Sequence, residues 1–354
     1  MSIITRRQTL KIAAAATATG ALFMTGWPKR ATAAATDKLI FGTVPYISSG
    51  PLFIAQAKGY FEKVGIDLDA RYFVDGGLAM PALAAGEIDI SVTPCNVGFY
   101  NMVAKGTPVR VFMDRGREAA GRGSQAILVS NKLYAGGFHN LDGFKDGTGK
   151  TISEAVPGSV GHYLFSKAFK RAGLTSDVAE WKWGLDASSA LKLMVAGNLD
   201  MVEVSMPGAL AAERKGAGHI IAWGDEISPD MQLATMSANE TLLNERKDVV
   251  VRFCMVMLQA YREFMAAADS GDAEIVKILA KATELPEALI DAARPRWSAM
   301  ALDGLPGKQA ILAQQAFWHE EVKLLERTAD ADKLFDLTAV TEAKARLADK
   351  NPFI

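Results

Sequence analysis

The sequence predicts an α/β fold of two lobes, each a mostly parallel sheet flanked by helices, with a ligand cleft between them. Two observations predict it. Segments with strand and helix periodicity alternate along the chain, and two parts of the chain carry similar motifs in the same order. The length of 354 residues is also that of two domains.

The similar motifs recur at a nearly constant offset. "FEKVGI" at 61–66 matches "FKRAGL" at 169–174, which lies 108 residues later. "AGEIDI" at 85–90 matches "AGNLDM" at 196–201, which lies 111 residues later. We interpret them as two copies of one strand–helix–strand–helix–strand unit.

Local patterns support each element of the first copy. Pro51 suits the first turn of a helix and Gly65 suits its end, whereas Pro81 bends the short helix that contains it. The predicted elements, in order, are strand 38–44, helix 51–65, strand 66–73, helix 78–86, strand 88–93, helix 97–106 and strand 108–114.

The second copy repeats this alternation. Its predicted elements are strand 150–156, helix 160–172, strand 179–183, helix 187–196 and strand 199–205. We expect the segment 125–133 to cross from the first lobe to the second and a stretch near 219–228 to cross back. The rest of the chain is predicted to be mostly helical, with long amphipathic helices at 246–268 and 307–327.

These elements divide the chain into four predicted parts. They are an export signal at 1–35, which is cleaved, a first lobe at 36–126, a second lobe at 127–225, and the return of the first lobe with C-terminal helices at 226–354.

The N-terminal segment has the features of an export signal. Arg6 and Arg7 precede a short apolar run and then small residues, and we expect cleavage after Ala33 or Ala35. The paired arginines resemble the twin-arginine type, although Thr9 stands where that motif usually has Phe, which leaves the Sec route open. A membrane-spanning helix is disfavoured because the apolar run is shorter than about 20 residues. No cysteine lies near the cleavage region, so we expect a soluble periplasmic protein without a lipid anchor.

Charge and cysteine content exclude some classes of function. Removing residues 1–35 takes away five positive charges and no negative one, so the formal net charge falls from −1 to −6. An acidic chain without a basic block argues against nucleic acid as a partner. Of the two cysteines, Cys95 and Cys254, the second lies in an apolar helical run and is interpreted as a buried structural thiol. Metal-binding spacings are absent, so neither a metal nor a cofactor is expected.

Polar residues and glycines follow the predicted strands where each strand ends. Ligands of open α/β sheets bind beyond the carboxyl ends of the strands, and a helix that begins there offers free backbone amides. A single Ser, Asp or Gly in such a position is also a common helix cap, so the functional interpretation depends on their convergence. The candidate ligand-binding residues are Tyr46, Ser48, Ser49, Gly76, Gly77, Thr93, Asn96, Ser159, Val160, His162, Asp186 and Ser188.

Ser159 comes close to a serine-hydrolase signature. A nucleophile elbow reads G-x-S-x-G, but Pro157 stands where the first glycine belongs. The elbow also needs a histidine held against the serine. His162, on the same helical turn, is better placed to line a cleft than to act as a base. We therefore expect Ser159 to be a helix cap or a ligand contact and the protein not to be an enzyme.

Two features bear on the class of ligand. Arg115, Arg117 and Arg122 cluster after a strand that ends near the predicted cleft, and a guanidinium suits a carboxylate or sulfonate. A solvated loop with an Arg117–Glu118 charge pair explains the cluster equally well. Trp181 and Trp183 share one face of a strand, where they either pack in the core or form a wall for a flat ligand.

The chain resembles the periplasmic binding proteins of ABC importers for nitrate, alkanesulfonates, taurine and thiamine-precursor pyrimidines. The resemblance is carried by "PLFIAQAKGYFEKVGIDLD", "ALAAGEIDIS", "VAKGTPVRV", "FSKAFKRAGL" and "ALKLMVAGNLD", in that order. It implies a type II periplasmic binding protein fold that closes on a small molecule and docks on a permease in the inner membrane. The loops that would line the cleft are 46–49, 75–77 (with Asp75), 93–96, 158–162 and 186–188, with 203–206 (with Ser205) as a sixth candidate.

The sequence therefore favours a monomeric receptor for a small organic anion, such as a sulfonate or an aromatic carboxylate, over one for bare nitrate. A thiamine-precursor pyrimidine or another heteroaromatic compound is the alternative ligand, because Tyr46, His162 and Trp183 would suit a flat ring. A ligand sensor that signals to a membrane partner is a competing class. A relative of the pyrimidine-synthesising enzymes is disfavoured, because their cysteine-rich motif is absent from this sequence.

Overall fold

The computed structural model describes residues 36–353. The strands are β1 Asp37–Thr43, β2 Ile66–Tyr72, β3 Ile90–Pro94, β4 Val109–Asp114, β5 Gln125–Val129, β6 Thr151–Glu154, β7 Glu180–Trp183, β8 Met201–Ser205, β9 His219–Trp223 and β10 Ala234–Asn239. The predicted export signal, its type and its cleavage site lie outside the described residues.

The helices follow the strands in the alternation that the sequence predicts. They are α1 Gly50–Ala57, α2 Tyr60–Lys63, α3 Met80–Ala84, α4 Val97–Ala104, α5 Asn131–Ala135, α6 Val160–Arg171, α7 Ala187–Val195, α8 Gly208–Arg214, α9 Gly224–Ile227, α10 Glu240–Glu245, α11 Lys247–Ser270, α12 Ala273–Thr283, α13 Glu287–Ala292, α14 Lys308–Glu320, α15 Ala331–Leu334 and α16 Thr338–Asp349. Among residues 36–353, none of them is both long enough and apolar enough to cross a membrane.

Two five-stranded sheets organise the described chain, and their strand orders are equivalent. The first sheet has the order β2-β1-β3-β10-β4 and the second β7-β6-β8-β5-β9. In each sheet the fourth strand is antiparallel to both of its neighbours, and the other pairs are parallel. Four of the five strands therefore run in the same direction. This arrangement confirms the predicted two-lobed α/β fold, and the shared order explains the repeated motifs.

The two antiparallel strands carry the chain between the sheets. β5 follows β4 of the first sheet but pairs with β8 and β9 of the second. β10 follows β9 but pairs with β3 and β4 of the first. The predicted crossing at 125–133 is thus correct, whereas the stretch near 219–228 contains β9, an edge strand of the second sheet. The lobe bounds at 36–126, 127–225 and 226–354 stay a prediction.

The return strand β10 was missing from the predicted elements for a physical reason. Its sequence ATMSAN alternates apolar with polar residues, but Ala and Asn disfavour strands, and the polar Thr235 and Ser237 are buried together with the apolar residues. The predicted helix 51–65 is also wrong in one respect. It divides into α1 and α2 at Gly59, whose φ of 63° lies in the left-handed region that a helix interior does not allow.

An aromatic cluster joins the two lobes along α14. Tyr163 on α6 packs against Phe317 and Trp318 of α14, with ring centroids 5.0 and 5.7 Å apart. His162 lies 5.2 Å from the Trp318 ring. The same buried cluster includes Phe99 on α4 of the first lobe. The face of α6 that starts at Ser159 is therefore packed on the first lobe.

The lobes also touch directly where β3 and β6 end. The backbone amide of Val97 donates to the carbonyl of Gly158 at 3.2 Å. Gly158 has a φ of 81°, and a Cβ atom at this position would lie 2.4 Å from the Val97 side chain. Only glycine fits both the backbone conformation and the close approach.

We expect Gly158→Ala to destabilise the protein more than Gly173→Ala does. Gly173 has a φ of 79° and no atom near its Cβ position, so its substitution adds only the backbone strain. At Gly158 the overlap with Val97 should reduce the free energy of unfolding by about 1–3 kcal/mol more than the backbone strain alone does. Urea unfolding of both variants measures the difference, and equal losses would show that the two lobes do not touch here.

Candidate functional site

The carboxyl ends of the parallel strands face one another between the lobes, and a cavity of about 50 Å³ lies there. Its first-lobe wall contains Tyr46 and Ser48, and its second-lobe wall contains Gln125 and Ser205. The other lining residues are Ile47, Ser124, Met206, Arg296, Trp297 and Ser298. Both lobes therefore contribute to one site.

In the first lobe, the loop before α1 presents Tyr46 and Ser48. Tyr46 is 47% exposed, and its hydroxyl donates to the carbonyl of Val74 at 2.6 Å. Ser49 was predicted beside them as a ligand contact, but it is 3% exposed. Its hydroxyl donates to the Val44 carbonyl at 2.6 Å and accepts from the Arg115 guanidinium at 2.8 Å. Ser49 therefore supports the loop, and its contact with a solute stays a prediction.

The next two strand ends provide helix caps. Asp75 accepts the Gly77 amide at 2.7 Å, and Asn96 accepts the Phe99 amide at 2.9 Å. Gly76 is buried next to the carbonyl of Val92, where a larger residue would crowd the backbone. Thr93, another predicted contact, is fully buried, with its hydroxyl directed at the Ser91 carbonyl, because it lies within β3 and not beyond its end. A contact of Thr93 with a ligand stays a prediction.

Ser159 is the N-terminal cap of α6. Its Oγ accepts the amide of His162 at 3.0 Å, and its hydroxyl donates to Oε2 of Glu154 at 2.9 Å. Val160, the first residue of α6, is half-buried against the apolar cluster that joins the lobes. The hydroxyl proton of Ser159 is thus directed at a carboxyl group and not at an imidazole.

His162 is a packing residue and has no contact with Oγ through its ring. The ring is 5% exposed, and its Nδ1 accepts the amide of Gly158 at 3.0 Å. Burial lowers the pKa of His162 to about 4, so the ring is neutral at pH 7. A hydrolase would need this histidine to take the serine proton, and the geometry does not allow it.

The two tryptophans of β7 differ in burial, and their use as a wall for a flat ligand stays a prediction. Their rings stack at 4.6 Å with an interplanar angle of 2°. Trp181 packs against Phe165 of the second-lobe core, and Trp183 leaves 38% of its surface exposed at the carboxyl end of β7. Trp183 therefore offers a flat surface that Trp181 holds in place.

The three arginines after β4 do not form one anion site. Arg115 is 5% exposed and donates to Ser49, and Arg122 pairs with Asp269. Arg117 is half-buried, and its Nε has no hydrogen-bond partner. The predicted Arg117–Glu118 pair is not formed, because Glu118 accepts the amides of Ser124 and Gln125 at 2.8 and 3.1 Å.

The remaining predicted residues lie in the second lobe. Asp186 caps α7 by accepting the Ser189 amide at 2.9 Å, and Ser188 beside it is exposed. Ser205 donates to the side-chain carbonyl of Gln125 at 2.7 Å and lines the cavity. Of the candidates, Tyr46, Ser48 and Ser205 are those that the structure brings together around this cavity. The ligand contacts themselves stay a prediction.

The sequence did not single out Glu154 as a site residue, and Glu203 entered only as the first residue of the candidate loop 203–206. The two residues are neighbours on β6 and β8, and one oxygen of each carboxyl, Oε1, is buried without a hydrogen-bond partner. The available signal was an acidic residue in the otherwise buried strand TISE.

Burial perturbs all three carboxyl groups of this region. Burial raises the pKa of Glu154 to about 8, although the Ser159 hydroxyl opposes the shift. Burial, and then the charge of Glu154, raise the pKa of Glu203 well above its usual range. Burial raises the pKa of Glu118 to about 7. Glu154 and Glu203 together therefore retain protons at neutral pH.

A larger cavity of about 650 Å³ lies elsewhere, on the flank of the first lobe between α1 and α12. Its lining includes Phe53, Tyr72, Ile278 and two lysines, Lys277 and Lys281. Residues of the second lobe do not line it. We therefore assign the site to the smaller cavity, where strand ends of both lobes meet.

Fold and site together define a two-lobed α/β protein with a cleft between the carboxyl ends of its strands. The model of the NMT1-like family matches residues 32–280, which is well over half of the chain. The chain belongs to the NMT1-like family.

Individual relatives agree with this class. YtlA of Bacillus subtilis (strain 168) is 26% identical over 231 residues. Its name describes it as an unconfirmed binding protein. The matched residues cover 63% of this chain and 65% of YtlA, so the chain spans slightly less than two-thirds of that relative.

Solved structures show the same fold. The periplasmic nitrate-binding protein NrtA from Synechocystis PCC 6803 has a TM-score of 0.73 at 15% identity, with 90% of this chain and 91% of that one covered. The alkanesulfonate-binding protein SsuA from Xanthomonas axonopodis pv. citri, bound to MOPS, has a TM-score of 0.69 at 19% identity, with 86% and 99% covered. At these identities the similarity concerns the fold, and the predicted periplasmic binding protein fold is confirmed.

Between pH 7 and 8.5 we expect the free energy of unfolding to fall as the pH rises. Glu154 holds its proton in the folded protein up to about pH 8, whereas a glutamate in the unfolded chain loses it near 4.5. The folded state binds more protons in this range, so raising the pH favours unfolding. The slope approaches about 1.4 kcal/mol per pH unit for each proton retained.

Urea unfolding at four pH values measures this slope. In Glu154→Gln the slope should be smaller, because the amide does not titrate. His162 does not interfere, since above pH 7 it is mostly neutral in both states. The same slope in the variant and the parent would contradict the assignment of the retained proton to Glu154.

Proposed function

We propose that this protein is a periplasmic solute receptor of an ABC importer, which captures a small organic molecule in the cleft and delivers it to an inner-membrane permease. The observation that carries the proposal is the cavity lined by strand ends of both lobes, with Tyr46 and Ser48 on one side and Gln125 and Ser205 on the other. A solute that contacts both walls binds the closed arrangement of the lobes more tightly than the open one. Only such a difference in affinity shifts the equilibrium between the two arrangements towards closure.

The connections between the lobes suit this mechanism. Two segments, between β4 and β5 and between β9 and β10, join the sheets, and a hinge motion needs changes in only a few of their backbone angles. The Val97–Gly158 hydrogen bond joins the lobes at the site and would break when they open. Export of the chain to the periplasm, its monomeric state and the permease partner belong to the proposal.

An enzymatic role has less support. The hydroxyl of Ser159 donates to Glu154, and the imidazole of His162 accepts from a backbone amide. Neither residue has the geometry of a nucleophile with its base. A sensor that signals to a membrane partner would use the same cleft, and the proposal differs from it in predicting that solute uptake depends on the protein.

We expect a bound solute to raise the melting temperature of the purified protein and to reduce its radius of gyration. The protein is first unfolded and refolded to remove solute carried over from the cell. A ligand at a hundred times its dissociation constant adds about 2.7 kcal/mol of stability. Thermal shift and small-angle X-ray scattering with sulfonates, carboxylates, nitrate, pyrimidines and amines measure both effects.

Solute recovered from the complex should be chemically unchanged, which mass spectrometry checks. Recovery of a converted product would favour an enzyme. A folded protein that responds to no member of the panel would contradict the receptor proposal.

A further inference from the structure

We propose that the carboxyl groups of Glu154 and Glu203 accept N–H donors of the solute, and that the solute is an organic cation of the amine or amidine type with a flat body. This inference rests on the proposed function, because it names the chemical class of the solute for the same cleft. It differs from the small organic anion that the sequence favours.

The two carboxyl groups are adjacent because their strands are paired. Ile152 lies opposite Met201 and Ser153 opposite Val202 in the parallel β6–β8 register, so Glu154 and Glu203 follow side by side at the cleft end. Glu203 also acts on the first lobe, because the pKa of Tyr46 is raised by partial burial and then by the charges of Asp75 and Glu203. The pair therefore lies near the cavity that the two lobes form.

Each carboxyl group has an unused acceptor. Glu154 is 7% exposed, its Oε2 accepts from the hydroxyl of Ser159, and the backbone amide of Glu203 also acts on this carboxyl group. Oε1 of Glu154 and Oε1 of Glu203 are shielded from water and have no partner. Buried polar atoms without partners are rare and costly, and a functional site is one place where they persist. Two acceptors side by side match a ligand with two N–H donors.

The N-terminus of α6, which the sequence predicts to attract an anion, already faces a carboxyl group. A Cβ atom at Gly161 would lie 2.1 Å from Oε1 of Glu154, so only glycine lets this carboxyl lie against the first turn of the helix. The carboxyl of Glu154 thus takes the place near the helix dipole where an anionic ligand would bind. An anionic ligand there would have to displace this carboxyl group.

The cations near the cavity are engaged elsewhere. Arg296 lines the cavity, but it pairs with Asp225 at 3.2 Å and lies over the Trp223 ring at 4.6 Å. Arg115 is buried behind Ser49. The unpartnered Nε of Arg117 is itself buried, and the charge of that arginine acts on Asp114.

Aromatic surfaces are available for the body of the solute. Trp183 is exposed at the end of β7 and held by Trp181, and Tyr46 is exposed on the opposite lobe. Such rings attract flat cations through their faces. The net charge of −6 that residues 36–354 carry would also favour the approach of a cation.

Other titratable groups around the pair set its charge. Glu118 acts on Glu203 from the loop after β4, Tyr46 faces it from the first lobe, and His162 on α6 is neutral at pH 7. Because the pair retains protons at pH 7, a cationic solute should release a proton when it binds.

Isothermal titration calorimetry of the purified, refolded protein at pH 7 tests the proposal with six probes. Benzamidine and benzylamine carry a charge and N–H donors, benzyltrimethylammonium carries the charge alone, 4-aminopyrimidine carries donors on a neutral ring, and benzoate and benzenesulfonate are anions. We expect benzamidine or benzylamine to bind at least tenfold more tightly than the quaternary ion and either anion. Titration in buffers of different ionisation enthalpy should show proton release.

Variants identify the residues. Glu203→Gln and Glu154→Gln should each weaken the amine or amidine at least tenfold, and Glu154→Gln should also reduce proton release. Glu180→Gln is the matched control, because Glu180 is an exposed carboxylate at the other end of β7. This control should bind like the parent.

The outcomes separate the two proposals. Tight binding of an anion that both Gln variants retain would overturn the inference and leave the receptor function standing, as would preference for the quaternary ion. If 4-aminopyrimidine binds most tightly and its affinity is lost in Glu203→Gln, the contact between N–H donors of the solute and the carboxyl groups is supported. The positive charge proposed for the solute is then overturned. No response to these probes or to the wider panel, by folded protein, would overturn both proposals.

Discussion

The double crossing of the chain between the sheets is the constraint on which the rest of this structure depends. The second sheet is one continuous stretch, β5 to β9, and it is inserted between β4 and β10 of the first sheet. The first sheet is therefore complete only after the chain has returned. The double crossing brings both sets of strand ends to one cleft and limits the lobes to two short connections, which a hinge motion requires.

The second constraint is the contact of α6 with the first lobe. Its N-terminal turn packs through His162 and Tyr163 against α14, while its cap, Ser159, holds the carboxyl of Glu154. The first turn of α6 thus contacts both the first lobe and a carboxyl group at the cleft. A change in the protonation of Glu154 acts directly on the hydroxyl that caps this helix. The carboxyl group proposed to contact the ligand therefore lies next to the helical turn that contacts the first lobe.

Much of the fold could be predicted from the sequence because local patterns and the internal repeat agree. The ends of α6 and α7, the crossing strand β5 and the caps Asn96, Ser159 and Asp186 follow from short-range rules. β10 was not predicted, because its Ala and Asn residues disfavour strands and its burial on both faces is not recorded in the local pattern. The burial of Ser49 and Thr93 could not be predicted either, since burial depends on packing that a local pattern does not record.

The sequence by itself determined which residues stand at strand ends and which segments repeat, because periodicity and capping are properties of a few neighbouring residues. Only the tertiary structure decided which side chains meet at these strand ends and which of them are already paired with other residues. The pairing of β6 with β8 places two carboxyl groups side by side, and the folding of the loop after β4 commits Arg115 and Arg122 to Ser49 and Asp269. Which charge the cleft presents depends on contacts between residues far apart in the chain, and single-sequence patterns do not contain them.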